Sequence, residues 1–141
     1  MSSDMIKNIM HSPTFVSPSD TIDDVCKIMA KKIVGSVIVG TKDEPLGIFS
    51  ERDVIFKIVA EGIDPKKAKA SEYMTSPVIT IDAGSAISDA QRIFSEKKIR
   101  RLPVVENKII VGIVSARSVL NNINFDSIKR KYFDSLEPSR F

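Results

Sequence analysis

An internal duplication constrains this chain more than any other feature of its sequence. Met10-His11-Ser12-Pro13 aligns with Met74-Thr75-Ser76-Pro77 at a shift of 64, and one inserted residue makes the shift 65. From there Ile22, Asp24, Ile28, Lys32, Val39, Gly47, Ile48, Ser50, Arg52 and Val54 recur as Ile87, Asp89, Ile93, Lys97, Val104, Gly112, Ile113, Ser115, Arg117 and Val119. Ten identities that keep register through the turn at 40–45 mark a duplication. Neither copy is large enough to be comfortably stable alone, so the two should pack as one pseudo-symmetric body.

Both copies show one order of elements. A short extended segment (14–17; 78–81) ends in turn residues, Pro18-Ser19-Asp20 and Asp82-Ala83-Gly84-Ser85. Helical spacing then places Ile22, Val25, Ile28, Met29 and Ile33 on one face, as it does Ile87, Ala90, Ile93 and Phe94. Two apolar runs about a polar turn read as a hairpin: 37–39 with 46–49, and 102–105 with 109–114. A second helix is expected over about 51–60 and 116–122. The fold class is therefore α/β (α+β), two β-α-β-β-α repeats packed sheet to sheet. The expected organisation is repeat 1 at 5–60, a linker at 61–71, repeat 2 at 72–123 and a tail at 124–141.

The composition removes several functions. With one Cys and one His, a single chain offers neither a disulfide framework nor a Cys/His zinc cluster, and no metal site is expected. A Cys-His or Ser-His-Asp nucleophilic site is equally disfavoured, because Cys26 falls in a helical apolar pattern and His11 in a Ser/Pro loop. No catalytic residue is assigned, and a non-enzyme is expected. The longest apolar run, 109–114, is far short of the ~20 residues of a membrane span. Nor does the N-terminus have the order of a signal peptide, so a cytoplasmic protein is expected.

The residues that carry chemistry follow the last strand of each copy: Gly47-Ile48-Phe49-Ser50-Glu51-Arg52-Asp53 and Gly112-Ile113-Val114-Ser115-Ala116-Arg117-Ser118. Ser50-x-x-Asp53 has the spacing of a capping box, a purely structural device. The same geometry also suits a nucleotide. Free N–H groups at a helix start favour a phosphate, and a carboxylate one turn in can accept from both hydroxyls of a ribose. Gly47 would let a flat base approach the backbone.

The duplicated unit, the opening M-x-x-P, the Leu102-Pro103-Val104-Val105 strand and the G-h-x-S-x-x-D segment resemble a pair of cystathionine β-synthase (CBS) domains over about residues 5–123. The resemblance implies a regulatory sensor that binds an adenine nucleotide (AMP, ADP or ATP) between the repeats, with S-adenosylmethionine or NAD as lesser candidates. It also implies a homodimer and an effector protein of unknown identity. Carried onto this sequence, it places Asp53 on the ribose, Ser50 and Arg52 near the phosphate, and Ile48 against the base. Val78 and Ile79 would surround the adenine, with Arg101 and Pro103 along the facing strand. A second pocket would use Thr14, Phe15, Ser36, Ile113, Ser115 and Arg117. There Ser118 stands in place of the ribose-binding Asp and Ile38 in place of Pro103, so a weaker, differently selective or empty pocket is expected.

The competing reading is a nucleic-acid-binding protein that uses the basic second half. Residues 1–64 carry seven basic and ten acidic side chains, whereas 65–141 carry fourteen and eight. A net charge of +3 does not argue for nucleic acid. Only two Tyr and seven Phe are available for stacking, and most of the Phe occupy core-like positions. The lysines at 66, 67 and 69 read as solvated surface, and Cys26 and Met29 as packing. Arg100 or Arg101 is the better candidate for phosphate, since a guanidinium meets its oxygens in pairs.

Overall fold

The computed structural model describes residues 4–122 and contains two three-stranded mixed sheets. In the first repeat β1 (Phe15–Val16) leads to α1 (Ile22–Lys32), followed by β2 (Ser36–Gly40) and β3 (Pro45–Ser50). A short α2 (Glu51–Asp53) continues directly into a π-helical segment, Val54–Val59. A connecting helix, α3 (Ala70–Tyr73), precedes the second repeat: β4 (Ile81–Asp82), α4 (Ile87–Lys97), β5 (Arg101–Glu106), β6 (Ile109–Ser115) and α5 (Ala116–Asn121). In each sheet the middle strand pairs parallel with the opening strand and antiparallel with the last. Both expected hairpins are present. The tail at 124–141 lies outside the described residues.

Local chemistry sets the helix ends. Thr21 Oγ1 accepts the Asp24 amide at 3.2 Å, Asp23 and Asp24 fill the first turn of α1, and Lys31 and Lys32 fill its last. Each charge pair complements the helix dipole. Ile33 departs from expectation. It is 90% exposed, because the helix ends at Lys32 and Ile33 turns the chain at φ 55°, ψ 50°. A branched side chain is costly in this left-handed region, by about 1–2 kcal/mol. Its equivalent Lys98 makes the same turn at φ 55°. After Asp53 the helix widens: the Ala60 amide reaches back to Ile55 and that of Ile63 to Ile58, each at 2.9 Å.

The extended segment expected over 78–81 pairs only from Ile81. Pro103 supplies the reason. In repeat 1 the Ile38 amide donates to the Thr14 carbonyl at 2.8 Å. Pro103 occupies the equivalent place in β5 and has no N–H to give. The opening segment of repeat 2 is thus released from its sheet at Val78 and Ile79, and Ile79 is 38% exposed.

The opening segments exchange between repeats. Ile6 and Ile9 are buried in the second repeat's core with Ile81, Phe94, Leu102, Val104 and Val114. Reciprocally, Ala68 and Ala70, from the stretch read as linker, are buried in the first repeat's core with Val25, Val37 and Phe49. The lysines at 66, 67 and 69 are exposed. The exchange is hydrogen-bonded at both ends. Met5 bridges Ala86 and Lys69 bridges Thr21. His11 and Ile113 trade amide bonds of 2.8 and 2.9 Å, and Thr75 and Ile48 trade bonds of 2.8 and 3.0 Å.

This crossing corrects the reading of Gly47. A Cβ there would lie 2.6 Å from Met74 Sδ and 2.9 Å from the Thr75 carbonyl. At Gly112 it would lie 2.6 Å from Met10 Sδ and 3.1 Å from the His11 carbonyl. The bare backbone therefore admits the crossing segment of the other repeat rather than a base. Gly47→Ala and Gly112→Ala should each destabilise the protein by about 1–3 kcal/mol through overpacking. Urea unfolding should register this as a lower midpoint, and an unchanged midpoint in both variants would refute the assignment.

Candidate functional site

Between the repeats lies a cavity of about 790 Å³, within the size range of small-molecule sites. All eight residues expected at the first site line it: Ile48, Ser50, Arg52 and Asp53 from repeat 1, and Val78, Ile79, Arg101 and Pro103 from repeat 2. Pro103 is fully buried at its floor. Glu51, Ile55, Phe56, Thr75 and Arg100 also line the cavity. Much of the wall is therefore apolar surface left open to solvent, since Ile55 and Phe56 are 59% and 58% exposed.

The polar residues are already engaged with one another. Asp53 Oδ2 accepts from the Ser50 amide at 2.9 Å and from its hydroxyl at 3.3 Å, while Ser50 Oγ accepts the Asp53 amide at 3.4 Å. The capping box is thus present. The other oxygen, Oδ1, pairs with Lys57 Nζ at 3.2 Å. Across the cleft, Arg101 Nη2 meets Glu51 Oε1 at 3.4 Å, tying β5 to the start of α2. Glu51 is largely exposed, so the pair contributes well under ~1 kcal/mol. Arg101 also rests on Gly35, where a Cβ would collide with its guanidinium. Arg52 stacks over the Phe56 ring at 4.8 Å, an exposed cation–π contact.

The pseudo-equivalent cavity is smaller, about 330 Å³. Thr14, Ser36, Ile113 and Ser115 line it as expected, together with His11, Ser12 and Arg101. Phe15 and Arg117 do not. Phe15 pairs with Ile38 inside the sheet, and Arg117 lies exposed on α5. Ser118, in the place of Asp53, is 7% exposed. Its hydroxyl is 2.9 Å from Ser115 Oγ and 3.0 Å from His11 Nε2, a network that contains no carboxylate.

The CBS-domain profile matches residues 6–60 and 70–124, the two halves that build these cavities. The chain belongs to the CBS-domain family. A protein of Methanopyrus kandleri is 39% identical over 106 residues, covering 74% of this chain and 54% of that one. This chain thus spans about half the length of that relative. The CBS domain-containing protein YhcV of Bacillus subtilis is 29% identical over 126 residues, 80% of this chain and 89% of that one. Among solved structures, the hexameric CBS-CP12 protein from bloom-forming cyanobacteria superposes with a TM-score of 0.79 at 28% identity, covering 93% of this chain and 84% of that one. CBS pairs are typically regulatory modules that bind adenine nucleotides.

Within this CBS pair, sequence reasoning missed Lys57, Thr75 and Phe56. Lys57 had a signal, since it stands four residues after Asp53, the spacing of a helical ion pair. Thr75 had none until the crossing was seen. Phe49 and Phe94 are buried as expected of core residues, and Phe56 is not. Burial, and secondarily Asp23, raise the Cys26 thiol above its ordinary pKa, which keeps it protonated and suits packing. Among the described residues no three His, Cys, Asp or Glu side chains come together as a metal site, and no helix is long and apolar enough to cross a membrane.

Proposed function

We propose that the larger cleft holds an adenine nucleotide and that the chain acts as a sensor without catalysis of its own. One observation carries this reading. A single cavity of mononucleotide size joins an acceptor-rich end at Asp53 and Ser50, an apolar wall at Ile48, Val78 and Ile79, and cations at Arg52, Arg100 and Arg101. A ribose, a base and a phosphate need those three surfaces in one place. Ligand there would bridge the Asp53 helix of one repeat to the β5 edge of the other. It would favour the arrangement that brings them together, since only differential affinity transmits a signal. The smaller cleft lacks the carboxylate and would bind such a ligand weakly or not at all.

Calorimetry with AMP, ADP, ATP, S-adenosylmethionine and NAD tests this. One adenine nucleotide per chain is expected. Asp53→Asn keeps a capping oxygen and removes the charged acceptor, which is worth about 1.5–3 kcal/mol for hydrogen bonds to a charged group. Affinity should fall roughly tenfold to a hundredfold. Ser118→Ala should leave it unchanged. Heat from none of the five ligands, or the reverse dependence on the two variants, would overturn the reading.

The chain should also self-associate, as a homodimer, and deliver its signal through that assembly or an effector protein. Ile55, Val59 and Leu120 expose apolar surface at 59%, 70% and 52%, and the cyanobacterial neighbour is hexameric. Val59→Asp lies outside the cleft lining and should shift the mass measured by light scattering toward the monomer. A monomeric wild-type protein would contradict this.

A further inference from the structure

Among the described residues Lys57 is the one cation in direct contact with Asp53, and all three of its donors are in use. Nζ pairs with Asp53 Oδ1 at 3.2 Å, donates to the Tyr73 carbonyl at 2.9 Å and donates to Thr75 Oγ1 at 3.1 Å. The last two acceptors lie on the crossing segment, whose Thr75 backbone pairs with Ile48 in the wall of the larger cleft. One ammonium therefore joins the acid at the cleft to the strand that locks the repeats together.

The acid has limited capacity. A carboxylate offers about four lone-pair sites. Two at Oδ2 are taken by the Ser50 amide and hydroxyl, and one at Oδ1 by Lys57. A vicinal diol donates two hydrogen bonds and finds one site open. The second repeat has no such arrangement: Asn122 stands in the place of Lys57, Ser118 in that of Asp53 and His11 in that of Thr75. There the Asn122 amide donates to the Ser118 carbonyl, with no charge involved.

We propose that Lys57 is a ligand-operated latch: a ribose diol takes Asp53 Oδ1 from it, and the release loosens the crossing segment at Tyr73–Thr75. The proposal rests on nucleotide binding in the larger cleft and adds the means by which occupancy reaches the repeat interface. Lys57 acts here as a positioning residue whose contact opposes the ligand. It differs in this from the arginines of the cleft, which would attract one.

Lys57→Met tests the latch, and Thr75→Val weakens it from the opposite side. In the free protein, amide hydrogen exchange at Met74 and Thr75 should quicken several-fold in Lys57→Met and less in Thr75→Val. AMP should bind Lys57→Met roughly threefold to tenfold more tightly than wild type, and 2′-deoxy-AMP should show no such gain. Unchanged exchange at Met74 and Thr75 in both variants would overturn the latch. A tenfold loss of AMP affinity in Lys57→Met would overturn it too, by making Lys57 a direct contact of the nucleotide. If wild type binds no adenine nucleotide, the sensor reading and the competition fail together. Exchange in the free protein then decides separately whether Lys57 holds the segment.

Discussion

The reciprocal approach of two backbones, Met74-Thr75 onto Gly47-Ile48 and Met10-His11 onto Gly112-Ile113, is the contact on which the rest of the molecule depends. Each repeat alone has a three-stranded sheet and two helices, too little to close a core. The crossing supplies the missing side chains. Ile6 and Ile9 complete one core, Ala68 and Ala70 the other. A fully buried isoleucine is worth about 1.5–3 kcal/mol, so the second repeat does not lose its borrowed segment cheaply. The same crossing brings Thr75 and Pro77 of one repeat beside Ile48 and Ser50 of the other, which is how a cavity comes to have walls from both.

Two of the departures from pseudo-symmetry enlarge or charge the same cleft. Proline in place of Ile38 costs repeat 2 the hydrogen bond that pins Thr14 in repeat 1, so Val78 and Ile79 face open space. Serine in place of Asp53 leaves the other cleft with a closed network of hydroxyls and one imidazole. A duplicated chain has in this way become one roomy cavity with a carboxylate and one small cavity without one. Arg101 lines both, which puts one guanidinium between them.

Much of this was legible in the sequence because duplication supplies an internal comparison. Periodicity placed the helices, and the polar turns placed both hairpins. Four residues of the first site, Ile48, Ser50, Arg52 and Asp53, belong to the motif repeated at the ends of β3 and β6, and the resemblance to CBS pairs supplied Val78, Ile79, Arg101 and Pro103 on the facing wall. What stayed hidden were contacts between segments distant in the chain. The alanines at 68 and 70 sit among exposed lysines and carry no apolar pattern, so their burial follows only from the exchange. Gly47 invites a ligand on conformational grounds, yet its missing Cβ is filled by Met74. Ile33 continues the apolar stripe of α1 in sequence, but the chain must reverse there, and geometry overrode hydrophobicity. Phe15 and Arg117 matched the second site by position, yet Phe15 stands in β1 beside Ile38 and Arg117 lies exposed on α5, so neither lines the smaller cavity.

The acid at the head of α2 thus has two occupations, holding the helix start and facing the larger cavity between the repeats. Amide and methyl NMR during titration with AMP reads the location of the ligand directly. The account predicts saturating shifts at Ile48, Asp53, Val78, Ile79 and Arg101, with Ser36, Ser115 and Ser118 little changed. Shifts centred on Ser115 and Ser118, or spread evenly over the surface without saturation, would contradict it.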